Sequence, residues 1–331
     1  MAAKLTLAGK PFAPGAFRVA VIGAGVMGPG IAMVFAEHGF EVDLCEVGPD
    51  ALARGMASLQ DSLALKVELG LCDREAAAAA FARVSPQCGL AAALPRAALV
   101  IEAVTENRAV KQDIYAQVER ASPDSTIVWS NTSTLDVFQL ASPALRKRLL
   151  VAHWFAPPQI LPLVEVVGSA DAQAGLCEES VAILRALGKT PVVLRKFVPG
   201  FLINRLLRAL GRESFALIEA GVVTAGELDA AVRTSLAPRM QILGVMQRYD
   251  FTGLGLSLRN LAEPAMAVAP IDLSPAPLRG RVERGDLGVA SGRGFYDYQG
   301  RSTLELQRQR DRTLWRVVHG LDDLVLDPKP L

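Results

Sequence analysis

Imidazole is the side chain that exchanges a proton near neutral pH, so the three histidines of this 331-residue chain are where chemistry would begin. His38 and His319 each stand directly before a glycine at the end of a helix-like stretch, where a solvated surface role is the simpler reading. His153 closes a short apolar run, and open α/β sheets bind their ligands outside the carboxyl ends of strands. Twelve residues on, Glu165 lies within the otherwise apolar stretch Leu161–Val167. A carboxylate among such neighbours is costly unless it has a partner. If the turn Ala156-Pro157-Pro158 brings the two stretches side by side, a His153–Glu165 pair satisfies the charge, fixes the imidazole tautomer and raises its basicity. A core histidine with a structural hydrogen bond, and a Glu165 facing solvent from an edge strand, are the plainer alternatives.

A second signal is Val21–Gly28, which reads VIGAGVMG. Gly23 permits a tight turn, Gly25 lets the backbone approach a pyrophosphate, and Gly28 lets the following helix pack closely on the strand; Val26 and Met27 complete the turn. A helix N-terminus there offers free N–H groups and a partial positive charge to phosphates. Glu46, eighteen residues after Gly28, stands where a carboxylate accepts hydrogen bonds from an adenosine ribose and repels a 2′-phosphate. The combination points to NAD rather than NADP, with FAD the main competing ligand and a purely structural turn the alternative.

These residues need elements to hold them. Phe17–Ile22 reads as a central strand, followed by the glycine turn, an apolar helix to about His38, and a strand over Glu41–Glu46: one βαβ unit. Helical material fills about 50–83. Strand-like runs recur at Leu99–Ile101, Thr126–Trp129, Leu149–Ala152, Val164–Val167 and Pro191–Leu194. The alternation predicts an α/β, Rossmann-type, doubly wound and mainly parallel sheet. From Pro199 the pattern turns helical. One long helix is expected over Pro199–Ala220, with more over 225–234, 238–250 and 302–319. The expected division is a loose leader over 1–16, a dinucleotide-binding domain over 17–195, and a smaller all-helical domain over 196–331.

Bulk composition narrows the function classes. With 35 basic and 34 acidic residues, a formal net charge of +1 and no basic tract, nothing marks a nucleic-acid or membrane partner. Val19–Ala36 is uncharged, but its glycines and Pro29 argue for strand, turn and helix rather than a membrane span. The N-terminus lacks a secretory pattern. Cys45, Cys72, Cys88 and Cys177 are scattered without metal-ligand spacing, so no metal site is expected and a reducing, cytoplasmic setting is.

Further motifs join these: IEAVTEN at 101–107, SNTST at 130–134, HWFAPPQILPLVEVV at 153–167, PGFLINRLL at 199–207 and GRGFYDY at 292–298. With VIGAGVMG they resemble the 3-hydroxyacyl-CoA dehydrogenase family over about residues 17–298. The resemblance implies an NAD-dependent oxidoreductase of fatty acid metabolism, active as a homodimer through its helical domain. A hydride would pass between nicotinamide and C3 of a 3-hydroxyacyl-CoA. His153 would be the acid/base and Glu165 its orienting partner. Ser133 and Asn204 would bind the reacting oxygen, and Glu106 and Lys111 would line the nicotinamide and ribose end of NAD. Ser58 and Lys66 fall where relatives meet CoA. Ser133 could instead cap a following helix, Asn204 be a structural hydrogen-bonder, and Lys111 an exposed helix lysine. The chain departs from the family at Ala156, where Asn is usual, at Phe197, where Asp is common, at Gly244-Val245-Met246 in place of Gly-Pro-Phe, and at Gly255 in place of Asp. A free 3-hydroxy acid, as in the gulonate and carnitine branches, is therefore the alternative to a CoA thioester. A non-catalytic, crystallin-like NAD binder is a further one.

Overall fold

The fold comes from a computed structural model that describes residues 6–7 and 10–321. The chain divides into two units, Met1–Leu202 and Ile203–Leu331.

Short, mostly apolar runs make the sheet of the first unit, because strands covered on both faces have little room for polar side chains. A two-stranded antiparallel ribbon, β1 (Thr6–Leu7) and β2 (Lys10–Pro11), comes first. The central βαβ unit is β3 (Arg18–Ile22), α1 (Gly28–Glu37) and β4 (Glu41–Glu46). Then follow α2 (Pro49–Glu68), α3 (Arg74–Ala82), β5 (Val84–Cys88), β6 (Ala97–Glu102), α4 (Arg108–Ala121) and β7 (Ile127–Ser130). The unit closes with α5 (Pro143–Arg146), β8 (Leu149–Trp154), β9 (Leu163–Gly168), α6 (Leu176–Ala186) and β10 (Thr190–Val193). The eight-stranded sheet runs β10-β9-β8-β7-β6-β3-β4-β5. All neighbours are parallel except β8 and β9, which are antiparallel. Strand order reverses between β3 and β6, which opens a crevice at their carboxyl ends. Helix α1 is buried from Gly28 through Ala36 and packs on β3, β4, α2 and α3, consistent with its lack of charge before Glu37.

The second unit is helical: α7 (Ile203–Glu219), α8 (Ala225–Ala231), α9 (Ala237–Leu243), α10 (Met246–Thr252), α11 (Leu254–Leu261), α12 (Ala276–Glu283) and α13 (Thr303–His319). A π-helical stretch, Val232–Leu236, joins α8 to α9.

Four local expectations change. Val84–Cys88 is an edge strand, where Pro86 removes a donor the edge can spare. The described part of the leader is ordered: Leu7 is buried, and the Phe12 ring packs at a tilt against Phe17 and Phe40, with centroids 5.9 and 4.6 Å away. Helix α7 starts at Ile203 rather than Pro199, because Gly200 (φ 78°) and Phe201 (φ 48°) are left-handed and cannot begin a right-handed helix. For the same reason the unit boundary falls after Leu202 rather than Arg195: Phe201 is buried in the apolar cluster of the sheet, with Phe197 packed against it.

Candidate active site

At the crevice, Ile22 ends β3 and Gly23 turns the chain at φ 106°, a conformation other residues rarely adopt. A side chain at Gly28 would place Cβ 1.8 Å from the Gly23 carbonyl oxygen, so the turn and helix α1 meet as they do only with glycine there. At Gly25 a Cβ would meet nothing within 4 Å, so this face of the loop is open. The opening belongs to a cavity of about 540 Å³ whose walls include Gly25, Val26, Met27, Glu46, Val104 and Ile114. Glu46 bends back on the loop, accepting from the backbone N–H of Ala24 (3.1 Å) and of Val47 (2.8 Å). A glycine loop, a helix N-terminus and an acidic residue around one cavity fit the pyrophosphate and ribose of a dinucleotide.

Across the crevice, β8 and β9 pair so that His153 and Glu165 are direct register partners. The Nδ1 atom of His153 lies 2.8 Å from Oε2 of Glu165, both side chains buried. An ionised carboxylate only accepts, so the hydrogen of this contact is carried by Nδ1. The other carboxylate oxygen, Oε1, accepts from the backbone N–H of Leu202 at 2.9 Å. The rings of Phe155 and Phe201 flank the imidazole at 4.5 and 5.2 Å, so the aromatic neighbours and Glu165 together limit its rotation. Asn131 accepts from the Trp154 N–H (2.8 Å), tying the end of β8 to the SNTST segment.

Glu106 organises that segment. Its Oε1 gathers the Thr132 hydroxyl (2.7 Å), the N–H groups of Ser133 (2.9 Å) and Thr134 (2.7 Å), the Thr134 hydroxyl (3.0 Å) and the Leu135 N–H (3.2 Å). Burial pushes its carboxyl up, but the hydrogen bond from Thr132, the Lys111 ammonium and the bonds from Thr134 outweigh this and hold it below the usual carboxylate range. Ser133 is half-buried on this turn and caps no helix. Lys111 is fully buried, its Nζ 2.7 Å from Oε1 of Glu102 and 3.4 Å from Oε2 of Glu106. The Glu102 Oε2 accepts from the Tyr115 hydroxyl (2.8 Å) and the Ser130 hydroxyl (2.7 Å). Burial, and then the charge of Glu102, push the Tyr115 phenol well above its usual range. Glu102, Tyr115 and Ser130 are the members of this network that sequence reasoning misses. Their signal is nonetheless in the chain: Glu102 ends an apolar strand as Glu165 interrupts one, and Lys111 follows it on the next helix.

The remaining candidates stand on α2 and α7. Ser58 is exposed on α2. Lys66, at the end of α2, is ion-paired with Glu37 of α1. Asn204 is the second residue of α7, in the second unit. Among the described residues no group of His, Cys, Asp or Glu could hold a metal ion, and the four cysteines are unpaired. No helix among them is long and apolar enough to cross a membrane.

Comparison with known proteins shows what the chain is similar to. Residues 18–197 match the model of the 3-hydroxyacyl-CoA dehydrogenase NAD binding domain, and residues 200–298 match that of the C-terminal domain. The chain is 32% identical to 5-formyl-3-hydroxy-2-methylpyridine 4-carboxylate 5-dehydrogenase of Mesorhizobium japonicum, over 90% of this chain and 96% of the relative. It is also 32% identical to a probable 3-hydroxybutyryl-CoA dehydrogenase of Bacillus subtilis, over 85% and 97%. Among solved structures it resembles a 5-formyl-3-hydroxy-2-methylpyridine 4-carboxylic acid 5-dehydrogenase described as an NAD+-dependent dismutase. That match has a TM-score of 0.83 at 30% identity and covers 92% of this chain and 98% of the other.

Proposed function

Because this chain belongs to the 3-hydroxyacyl-CoA dehydrogenase family and is an NAD-dependent oxidoreductase, we propose that His153 is its acid/base and Glu165 the group that orients it. The observation that carries this reading is the buried 2.8 Å contact between His153 Nδ1 and Glu165 Oε2. With the hydrogen held on Nδ1, Nε2 accepts the hydroxyl proton during oxidation and returns it during reduction. The imidazolium that forms is stabilised by the carboxylate beside it. NAD, when bound, accepts the hydride. Gly23, Gly25, Val26, Met27 and Gly28 would hold its pyrophosphate, and Glu46 its adenosine ribose. Glu106 sets the turn bearing Ser133, whose hydroxyl and the Asn204 amide would bind the reacting oxygen. Lys111, enclosed by Glu102 and Glu106, acts on the nicotinamide end through Glu106.

For the substrate, we favour a small hydroxy compound free of CoA. CoA phosphates need cations, yet Lys66 is engaged by Glu37, and α2 offers only Arg54 and Lys66 against Asp50, Asp61 and Glu68. The likeness to a pyridine-carboxylate dehydrogenase over nearly the whole chain supports the same reading. A 3-hydroxyacyl-CoA is the second reading, supported by the Bacillus relative. A crystallin-like binder would need no His153–Glu165 pair. We also propose a homodimer through the second unit: no residue of α7 is buried although Leu206, Leu207 and Leu210 recur along it, and Phe251, Leu254, Leu258 and Leu261 stand exposed on α10 and α11. Equilibrium sedimentation tests that, and a monomer at micromolar concentration would refute it. The four unpaired cysteines suit the cytoplasm.

The deciding experiment follows NADH formation and consumption with acetoacetyl-CoA, free 3-hydroxy and 3-keto acids, and pyridine-ring alcohols and aldehydes, in wild type and His153→Ala. Turnover of a free compound that vanishes in the variant supports the proposal. Turnover of the thioester alone moves the protein to the CoA branch. Turnover that survives in His153→Ala removes His153 from the mechanism.

A further inference from the structure

Lys189 belongs neither to the cofactor crevice nor to the acid/base pair, yet it is among the most enclosed cations of the first unit, only 7% exposed. It stands immediately before β10, and its ammonium donates to the carbonyl oxygens of Pro158 (2.7 Å) and Leu161 (3.2 Å). It also lies 5.3 Å from the centroid of the Trp154 ring. Pro158 and Leu161 sit in the connection 155–162, which joins the strand of His153 to the strand of Glu165. That connection is irregular backbone, and buried carbonyls outside regular structure need donors from somewhere. Its other side is held just as tightly. A Cβ at Gly30 would come within 2.3 Å of Gln159 Oε1 and 2.7 Å of Pro158 Cγ, and the Gln159 amide donates to the Ser62 hydroxyl at 3.3 Å.

We propose that Lys189 is a positioning residue for the reaction centre: its amine clamps the 155–162 connection and so keeps His153 and Glu165 in register, and opening of the clamp, which returns the amine to solvent, takes up a proton. This rests on the reading of His153 as acid/base. Burial is what brings proton loss within reach, lowering the amine to about 7 against an opposing pull from Glu37, with Lys66 adding to the fall. Glu37 of α1 and Lys66 of α2 pair with each other. The connection itself holds no titratable side chain, and β8 and β9 bring only His153 and Glu165, which engage one another. A neutral amine still donates to these carbonyls and avoids the desolvation that penalises the ammonium, so the closed clamp favours the neutral form and the opened, solvated one the charged form.

The test compares wild type, Lys189→Arg and Lys189→Met by amide hydrogen exchange across residues 153–165 between pH 6 and 8.5, corrected for the intrinsic pH dependence, with kcat and KM measured in parallel. The clamp predicts that wild-type protection of the connection rises about three- to tenfold as pH rises from 7 to 8.5. Protection should stay constant in Lys189→Arg and be low at both ends in Lys189→Met. It further predicts a wild-type kcat that gains on that of Lys189→Arg as pH rises through 7, with KM for NAD unmoved. Wild-type protection that is flat with pH overturns the clamp. A rising protection with superimposable kcat profiles for wild type and Lys189→Arg overturns the positioning role. Exchange needs no substrate, so absence of turnover in every form would count against the hydride-transfer reading and leave the clamp judged on its own signal. If Lys189→Met does not fold, wild type and Lys189→Arg carry the comparison.

Discussion

Glu165→Gln isolates the role of the carboxylate because the surroundings dictate how the amide must sit. In wild type Oε1 accepts from the Leu202 N–H at 2.9 Å and Oε2 faces His153 Nδ1 at 2.8 Å. A glutamine can keep only one oxygen. If its NH2 faced Leu202, two donors would oppose each other in a buried site, leaving an unmet N–H at a cost of about 1–3 kcal/mol. The oxygen therefore stays on Leu202 and the NH2 turns to His153, donating to Nδ1. That selects the tautomer with hydrogen on Nε2, the atom that must accept the substrate proton. General-base catalysis of this kind contributes roughly 10²–10⁴ in rate, and the same tautomer inversion in a serine-protease triad costs ~10⁴. The expected loss in kcat is thus about 10²–10⁴, or ~3–5.5 kcal/mol at 1.36 kcal/mol per decade. The assay is steady-state NADH formation on the best substrate of the panel, beside NADH affinity by fluorescence. Affinity should barely change, since Glu165 lines no part of the glycine-loop cavity. A folded variant that keeps kcat within about threefold of wild type would refute the tautomer argument.

Other perturbations follow from the same geometry. Glu46→Ala removes the carboxylate beside the glycine loop and should weaken NADH binding while narrowing the preference over NADPH; an unchanged ratio of the two affinities would place Glu46 away from the ribose. Gly28→Ala puts a Cβ 1.8 Å from the Gly23 carbonyl oxygen, so the loop must move and NADH affinity should fall by at least about tenfold, roughly 1.4 kcal/mol; calorimetric titration measures it. Glu106→Ala frees the donors gathered from 132–135 and should cost about 1–3 kcal/mol, several degrees in Tm; an unshifted melting curve would show that the turn holds itself. For Lys189 the sign is set by its lowered value. Between about 7 and 10.5 the unfolded chain keeps a proton that the folded chain has released, so stability from this group rises with pH across that window. The stability difference between wild type and Lys189→Met, followed by urea denaturation from pH 6.5 to 10, should therefore grow in favour of wild type. A difference constant with pH would show that Lys189 keeps its ordinary affinity for the proton.

Much of the first unit was legible along the chain because it rests on local rules. The glycine spacing, the apolar strand before it and Glu46 after it define a turn that few other sequences form. The strands of a sheet covered on both faces announce themselves as apolar runs. Segments governed by non-local conditions were less legible. Val84–Cys88 has a proline and alternating polar residues, and only its place beyond β4 makes it a strand. Helix α7 begins four residues later than the sequence pattern suggests, because Phe201 leaves the helical pattern to be buried with the sheet at a left-handed φ.

The reaction centre divides along the same line. Residue types and their places along the chain singled out His153 as the candidate proton carrier among three histidines, and indicated that a carboxylate in an apolar stretch would need a partner. Only the tertiary structure decided that β8 and β9 run antiparallel, in the one register that sets His153 opposite Glu165; a slip of one residue would turn the side chains to opposite faces of the sheet. Lys111 is the converse case. The family resemblance puts it at the nicotinamide end of NAD and its place on a helix suits an exposed lysine, yet it is buried against Glu102, because a cation can leave solvent where the fold supplies carboxylates to meet it. Spacing reports which chemistry a chain carries; which groups meet, and which are enclosed, depends on contacts between strands and helices far apart in sequence.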